Sequence, residues 1–212
     1  MGGQRRMMIG ALVLAAGLGR RMGGSKLDML LDGQPVLAHV LQRLAVAGLP
    51  VLVVTGGHGE KVRKVVGALP VAHAADHALG LAASIRSGIA AVPCEWDGLL
   101  VALGDMPFVR AETYAMLAAA LAAGAGAVVP VQGGQWGNPA GFSRRHFAAL
   151  SGLAGDAGAR ALLRPVGARA LLRPVGARAL LRPICAMEIR VDDAGIHRDI
   201  DVATDLPKAA GE

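Results

Sequence analysis

The sequence predicts an α/β fold, a mostly parallel sheet with helices on both faces, and two observations carry the prediction. Apolar runs of strand length alternate with helix-length segments through most of the chain. The first run is followed at once by a glycine-rich cationic segment, Gly17-Leu18-Gly19-Arg20-Arg21-Met22-Gly23-Gly24-Ser25-Lys26. Parallel sheets bind ligands beyond the carboxyl ends of their strands, where such a loop would stand.

In chain order, the continuous apolar run at 9–14 reads as a buried strand, and the segment from Pro35 through 47 as a helix. Val51-Leu52-Val53-Val54-Thr55 gives a second strand, followed by a helix at 59–66. A short strand at 71–74 precedes a helix at 82–91, and the apolar strand at 99–103 precedes a helix at 111–123. Strand 127–131, helix 143–150 and strand 187–191 complete the alternation, which implies right-handed crossovers. A chain of 212 residues supports one sizeable core. Residues 1–6 read as a loose leader and 7–212 as one domain. Arg5-Arg6 and the apolar stretch after them mimic a signal peptide, but cleavage there would destroy the glycine-rich loop.

Composition excludes several classes of partner. The net charge is +6, yet six of the 22 basic residues (Arg160, Arg164, Arg169, Arg173, Arg178 and Arg182) lie in one repeat, and the other 16 match the 16 acidic residues. With aromatics at 3%, nucleic acid is not an expected partner. Residues 113–143 carry no charge but are broken by glycines and Pro130, as a helix and a buried strand would be, not a membrane span. Cys94 and Cys185 form no C-x-x-C pair and read as core thiols in a reducing cytoplasm.

The glycine-rich segment is built to hold a polyphosphate: its glycines let backbone N–H groups face an anion, and Arg20, Arg21 and Lys26 supply countercharge. Neither common phosphate loop fits. Met22 occupies the third glycine position of G-x-G-x-x-G, and Ser25-Lys26 reverses the lysine and hydroxyl order of a P-loop.

Leu14-Ala15-Ala16-Gly17 through Lys26, followed by Leu31-Asp32-Gly33-Gln34-Pro35-Val36-Leu37, resembles the signature loop of the molybdopterin-cofactor nucleotidyltransferases. Within them it is most similar to the molybdenum cofactor cytidylyltransferases. The similarity continues in family order through Gly80-Leu81-Ala82-Ala83-Ser84-Ile85, Leu103-Gly104-Asp105-Met106-Pro107, Gly137-Asn138-Pro139 and Asp199-Ile200-Asp201. The resemblance implies a single three-layer, Rossmann-like domain of the nucleotide-diphospho-sugar transferase type. It implies transfer of CMP from CTP to the phosphate of molybdenum-molybdopterin, with Mg²⁺ as cofactor and a molybdoenzyme as possible client. Leu14, Ala15, Ala16, Gly17, Gly19, Arg20, Lys26, Gly80, Ser84 and Asp105 would then surround the nucleotide. Arg20, Lys26 and Asp105 would be catalytic, and Gly137, Asn138 and Pro139 would face the acceptor. Mg²⁺ would be held by Asp105 with Asp201 or Asp199. Ala16 favours CTP over GTP, since guanylyl relatives carry Leu-Ala-Gly-Gly there.

The residues themselves leave alternatives beside these roles. Asp105, after an apolar strand and Gly104, suits a Mg²⁺ site but also a turn aspartate before the helix at 111. On an extended segment Asp199 and Asp201 share one face, as metal ligands or as a solvated pair. Relatives continue with Thr-Pro-Glu-Asp, whereas this chain has Val202-Ala203-Thr204-Asp205. Ser84 stands in an anion-binding helix start or merely in a first helical turn, and Asn138, extended before Pro139, presents a side chain or forms a turn. His73 and His77 have zinc-helix spacing without the glutamate of H-E-x-x-H, and read as a loop, with Asp76 near the nucleotide by analogy.

From 158 to 184 the nonapeptide Gly-Ala-Arg-Ala-Leu-Leu-Arg-Pro-Val occurs three times, ending in Ile184. A continuous helix fails because nine residues rotate about 900°, putting successive copies on opposite faces, and Pro165, Pro174 and Pro183 each interrupt it. Short helical turns are expected, with two copies extra. Rival functions are guanylyl transfer, nucleotidyl transfer to another phosphorylated metabolite, and a non-catalytic cofactor carrier that docks through the repeat.

Overall fold

In the computed structural model, residues 6–17, 27, 29–57, 59–165 and 183–200 are described. Strand β1 (Ile9–Ala15) is buried along its whole length, as an apolar strand covered on both faces must be. It pairs in parallel with β4 (Val51–Thr55) on one side and β6 (Gly98–Leu103) on the other. β5 (Val71–His73) continues the sheet beyond β4. Beyond β6 the sheet becomes mixed. β9 (Ala140–Ser143) runs antiparallel between β6 and β7 (Ala127–Gln132), followed in parallel by β11 (Ile184–Arg190) and β10 (Leu163–Pro165). β8 (Gln135–Trp136) folds back on β7, giving the order β10-β11-β7-β9-β6-β1-β4-β5 with β8 off the path. A separate hairpin of β2 (Leu30–Leu31) and β3 (Gln34–Pro35) turns through Asp32 and Gly33, both at positive φ.

The two-residue period of β1 sorts the core into two layers. Ala11, Val13 and Ala15 pack toward α1 (Val36–Val46), α2 (Gly59–Val66) and α4 (Ala111–Ala122). Leu12 and Leu14 pack toward α3 (Leu81–Ala90) and α5 (Phe147–Ser151). The fold is thus the three-layer α/β domain the sequence predicts.

Several boundaries differ from expectation. The segment read as helix 143–150 is divided: Ser143 ends β9, Arg144–His146 forms a 3₁₀ turn, and α5 begins only at Phe147. β9 is four residues long, too short for alternation to declare it. Both cysteines are exposed, which corrects their reading as core thiols. Cys185 points outward on β11, and Cys94 sits in a surface turn, its thiol 3.6 Å from Glu95 Oε2. The first repeat copy forms a 3₁₀ turn at Ala159–Leu162 and then β10; residues 166–182 lie outside the described residues. No described helix is long and apolar enough to cross a membrane.

The chain runs from β1 out to β4 and β5, then returns to β6 on the other side of β1. That reversal opens a crevice at the carboxyl ends of β1 and β6, the position where open α/β sheets bind ligands.

Candidate active site

At this crevice the two strand ends are tied together. Gly104 N donates to Leu14 O at 3.0 Å. A Cβ on Gly104 would come within 3.1 Å of Leu14 O and 3.2 Å of Leu37 Cδ1, so a side chain here would push the following turn away from β1. Asp105, half-buried, is thereby held beside the root of the glycine-rich loop. Leu14, Ala15 and Ala16 are buried and Gly17 is exposed, so the chain leaves the core at Gly17. Gly19, Arg20 and Lys26 lie outside the described residues.

The Asp-Ile-Asp segment reaches the same turn from the far end of the sequence. Ile200 N donates to Asp105 O at 2.9 Å, and its side chain is buried with Leu31 and Val36 beside Met29 and Phe108. Asp199 is exposed next to this anchor; Asp201 lies outside the described residues. Residues 193–200 run back along 105–110. Gly195 lies against the Phe108 carbonyl with no room for a Cβ, and the Arg198 guanidinium stands 4.1 Å over the Phe108 ring.

The far end of this strap is closed by a buried carboxylate. Asp193 accepts from Arg110 N at 2.8 Å, Thr113 Oγ1 at 2.6 Å and Gly195 N at 2.9 Å, and Arg110 Nη1 donates to Asp192 O at 2.8 Å. The helix start at Ala111 is thus served by Asp193, and Arg110 holds its cap position; Asp105 is not the capping residue. Burial, reinforced by the Asp193 charge, pushes the Tyr114 phenol well above its ordinary range. No three His, Cys, Asp or Glu side chains converge among the described residues. Among the described residues Asp105 and the exposed Asp199 are carboxylates at this crevice that could serve an ion such as Mg²⁺, which takes one or two carboxylates and completes its shell with water and phosphate.

On the opposite wall, His77 fixes the end of β4. Gly57 N donates to His77 Nε2 at 3.0 Å, and Nδ1 lies 2.9 Å from Ala74 O, so the ring is an Nδ1–H tautomer accepting at Nε2. A Cβ on Gly56 would meet this ring at 2.7 Å and Ala16 O at 2.8 Å. His73 ends β5 on an exposed edge, and the pair does not form a zinc helix. Gly80 has φ +110° and leads into α3. Two N–H groups at that helix start already have partners, Ala82 N on Gly155 O at 3.1 Å and Ala83 N on Gly80 O at 3.2 Å. Ser84 is 3% exposed.

Gly137, Asn138 and Pro139 lie beside the strap. Asn138 N donates to Ile196 O at 2.9 Å, and a Cβ on Gly137 would meet the Ile196 side chain at 2.5 Å. Trp136 Nε1 donates to Glu188 at 2.7 Å, and Arg160 Nη1 donates to Trp136 O at 2.9 Å. The structure therefore bonds Leu14 to Gly104 and Ile200 to Asp105 through the backbone, sets Asn138 beside the same strap and puts Ser84 on the helix of the other core layer. Sequence reasoning missed Asp193, His77 as a brace, and Arg160. A helix-like repeat does not separate Arg160 from its copies, and nothing local distinguishes Asp193 from Asp192.

Residues 11–174 match the family model of the MobA-like NTP transferase domain. The chain belongs to this family. Nucleotidyl transfer is the chemistry that the MobA-like NTP transferase domain is named for. The bifunctional protein GlmU of Ralstonia pickettii (strain 12J) is 36% identical over 137 residues, 63% of this chain and 29% of that protein. The chain thus matches under a third of the length of that curated relative. The solved Rv0371c homolog from Mycobacterium sp. strain JC1 is 27% identical with a TM-score of 0.75, covering 93% of this chain and 92% of that one. A nucleotidyl transferase from Methanothermobacter thermautotroptrophicus is 25% identical with a TM-score of 0.61, covering 70% and 78%.

Proposed function

We propose that this MobA-like transferase moves CMP from CTP to the phosphate of molybdenum-molybdopterin, forming the cytosine dinucleotide cofactor and pyrophosphate. The observation that carries the reading is the Asp105 turn, bonded through its backbone to Leu14 on one side and Ile200 on the other. One carboxylate turn thereby joins the root of the phosphate loop to the Asp-Ile-Asp segment.

The acceptor is already an anionic nucleophile. Its phosphate oxygen forms a bond to the α-phosphorus while the bond to the bridging oxygen breaks, and pyrophosphate leaves with that electron pair. No protein base is required, so the work is alignment and charge neutralisation. Asp105, with Asp201 or Asp199, would hold Mg²⁺, which when bound neutralises charge on the α-phosphate. Arg20 and Lys26 balance the departing pyrophosphate. Leu14, Ala15, Ala16, Gly17 and Gly19 carry the nucleotide, with Gly80 and Ser84 on its far side. Gly137, Asn138 and Pro139 face the acceptor, and Ala16 leaves the base site suited to cytosine.

The test is pyrophosphate release by purified protein with Mg²⁺, molybdenum cofactor and either CTP or GTP. Rapid release with CTP and much slower release with GTP is expected. A preference for GTP would overturn the base assignment, and release only with a different phosphorylated acceptor would overturn the acceptor.

A further inference from the structure

We infer that Asp193 is a positioning residue for the metal site, setting the register in which the strap 193–200 lies along the Asp105 turn; this rests on the metal-dependent transfer proposed above. The two segments form an antiparallel zipper whose contacts fall in order. Asp193 meets Arg110 and Thr113, Gly195 meets Phe108, and Ile200 meets Asp105. At the Asp105 end Ile200 N donates to Asp105 O and the Ile200 side chain is buried. At the other end Asp193 gathers three donors while only 2% exposed.

A buried carboxylate with three donors is costly to move, because any shift strands both the charge and the N–H and O–H groups facing it. Ile196 lies between the two ends and takes Asn138 N through its carbonyl. A slip of the strap would therefore displace Asp199 from its place beside the Asp105 turn and carry the Asn138 backbone along. Asp193 makes its bonds to Arg110, Thr113 and Gly195, so its effect on metal or substrate travels through the strap.

The full-length protein, its Asp193→Asn variant and its Thr113→Val variant would be titrated with Mn²⁺ at saturating CTP, following free Mn²⁺ by electron paramagnetic resonance. CTP affinity without metal would be measured alongside, and folding checked by circular dichroism. For Asp193→Asn the Mn²⁺ concentration at half-saturation should rise by about tenfold or more, the usual effect of removing a group that orients a metal ligand. Thr113→Val, which removes one donor, should shift it the same way by about threefold. Metal-free CTP affinity should stay within about twofold in both, since the strap meets the Asp105 turn through Ile200 while the root of the glycine-rich loop is bonded separately to Gly104.

A folded Asp193→Asn variant with the wild-type Mn²⁺ titration would overturn the inference. If Asp193→Asn does not fold, an unchanged Thr113→Val titration overturns it instead. Failure of the wild-type protein to bind Mn²⁺ with CTP would remove the functional reading itself, and this inference with it.

Discussion

The two walls of the crevice are braced in different ways. The Asp105 wall is a zipper between segments some 90 residues apart, closed by main-chain bonds and a buried carboxylate. The β4 wall depends on one imidazole ring, which reaches Gly57 and Ala74 and fills the space a Cβ on Gly56 would need. A wall held through backbone and a buried charge resists graded change, whereas one held by a single side chain can be tuned by one substitution. The rigid wall carries the proposed metal ligands, where small displacements are expensive. The tunable wall adjoins Ala16, the residue proposed to select the base.

The largest expected effect tests the rigid wall. Asp105→Asn should lower turnover by about 100-fold or more, the several kcal/mol that metal-held charge contributes in a transition state, with circular dichroism unchanged. An active variant would remove the main reason for contrasting the walls. Next is Gly195→Ala, which puts a methyl group against the Phe108 carbonyl. It should cost about 1–3 kcal/mol of stability in denaturant unfolding, because backbone rather than a flexible side chain stands in the way.

His77→Phe sharpens the comparison from the other side. Ring bulk against Gly56 remains but the bonds to Gly57 and Ala74 go, so KM for the nucleotide should rise by roughly fivefold, about 1 kcal/mol, with kcat nearly unchanged. A fall in kcat of the size caused by Asp105→Asn would show that the walls do not divide the work.

The smallest effect at working pH concerns Tyr114, the sole tyrosine, packed under the rigid wall. Its folded pKa is raised above the unfolded value of 10.0, so the folded state keeps a proton that the unfolded state has lost. Its contribution is therefore fully present below pH 10 and decays above it, by about 1.4 kcal/mol per pH unit at most. Tyrosinate absorbance should rise together with loss of circular dichroism; a rise that precedes unfolding would contradict the buried, Asp193-facing phenol.

The sequence allowed the parallel half of the sheet to be read almost residue by residue. Strand 51–55 and helix 59–66 stand where periodicity puts them, since long apolar or amphipathic runs declare themselves. The mixed half was less legible. β9 has four residues and β10 lies inside a repeat whose arginines and leucines imitate a helix. In the crevice, the position of Asp105 after strand 99–103 was readable from the residues around it, whereas the anchoring role of Ile200 was not. Asp193 was not, because its three donors come together only after the strap has docked. His77 was legible as a residue and illegible as a brace, since its partners Gly57 and Ala74 lie on different loops.

The edge pair β10 and β11 has a consequence for the length of the chain itself. Leu163 pairs with Ile184 and Pro165 with Ala186, so the first copy of the nonapeptide and the last residue of the third are fixed side by side in the sheet. Sequence inserted or removed between those anchors alters the size of a closed excursion at one border of the sheet, five strands from β1 in the order β10-β11-β7-β9-β6-β1. Doubling such an excursion changes its closure entropy by only about 0.6 kcal/mol. Whole nonapeptides can therefore be added with little effect on folding, whereas deleting both extra copies would leave no chain for the crossover that the parallel pair β10 and β11 requires.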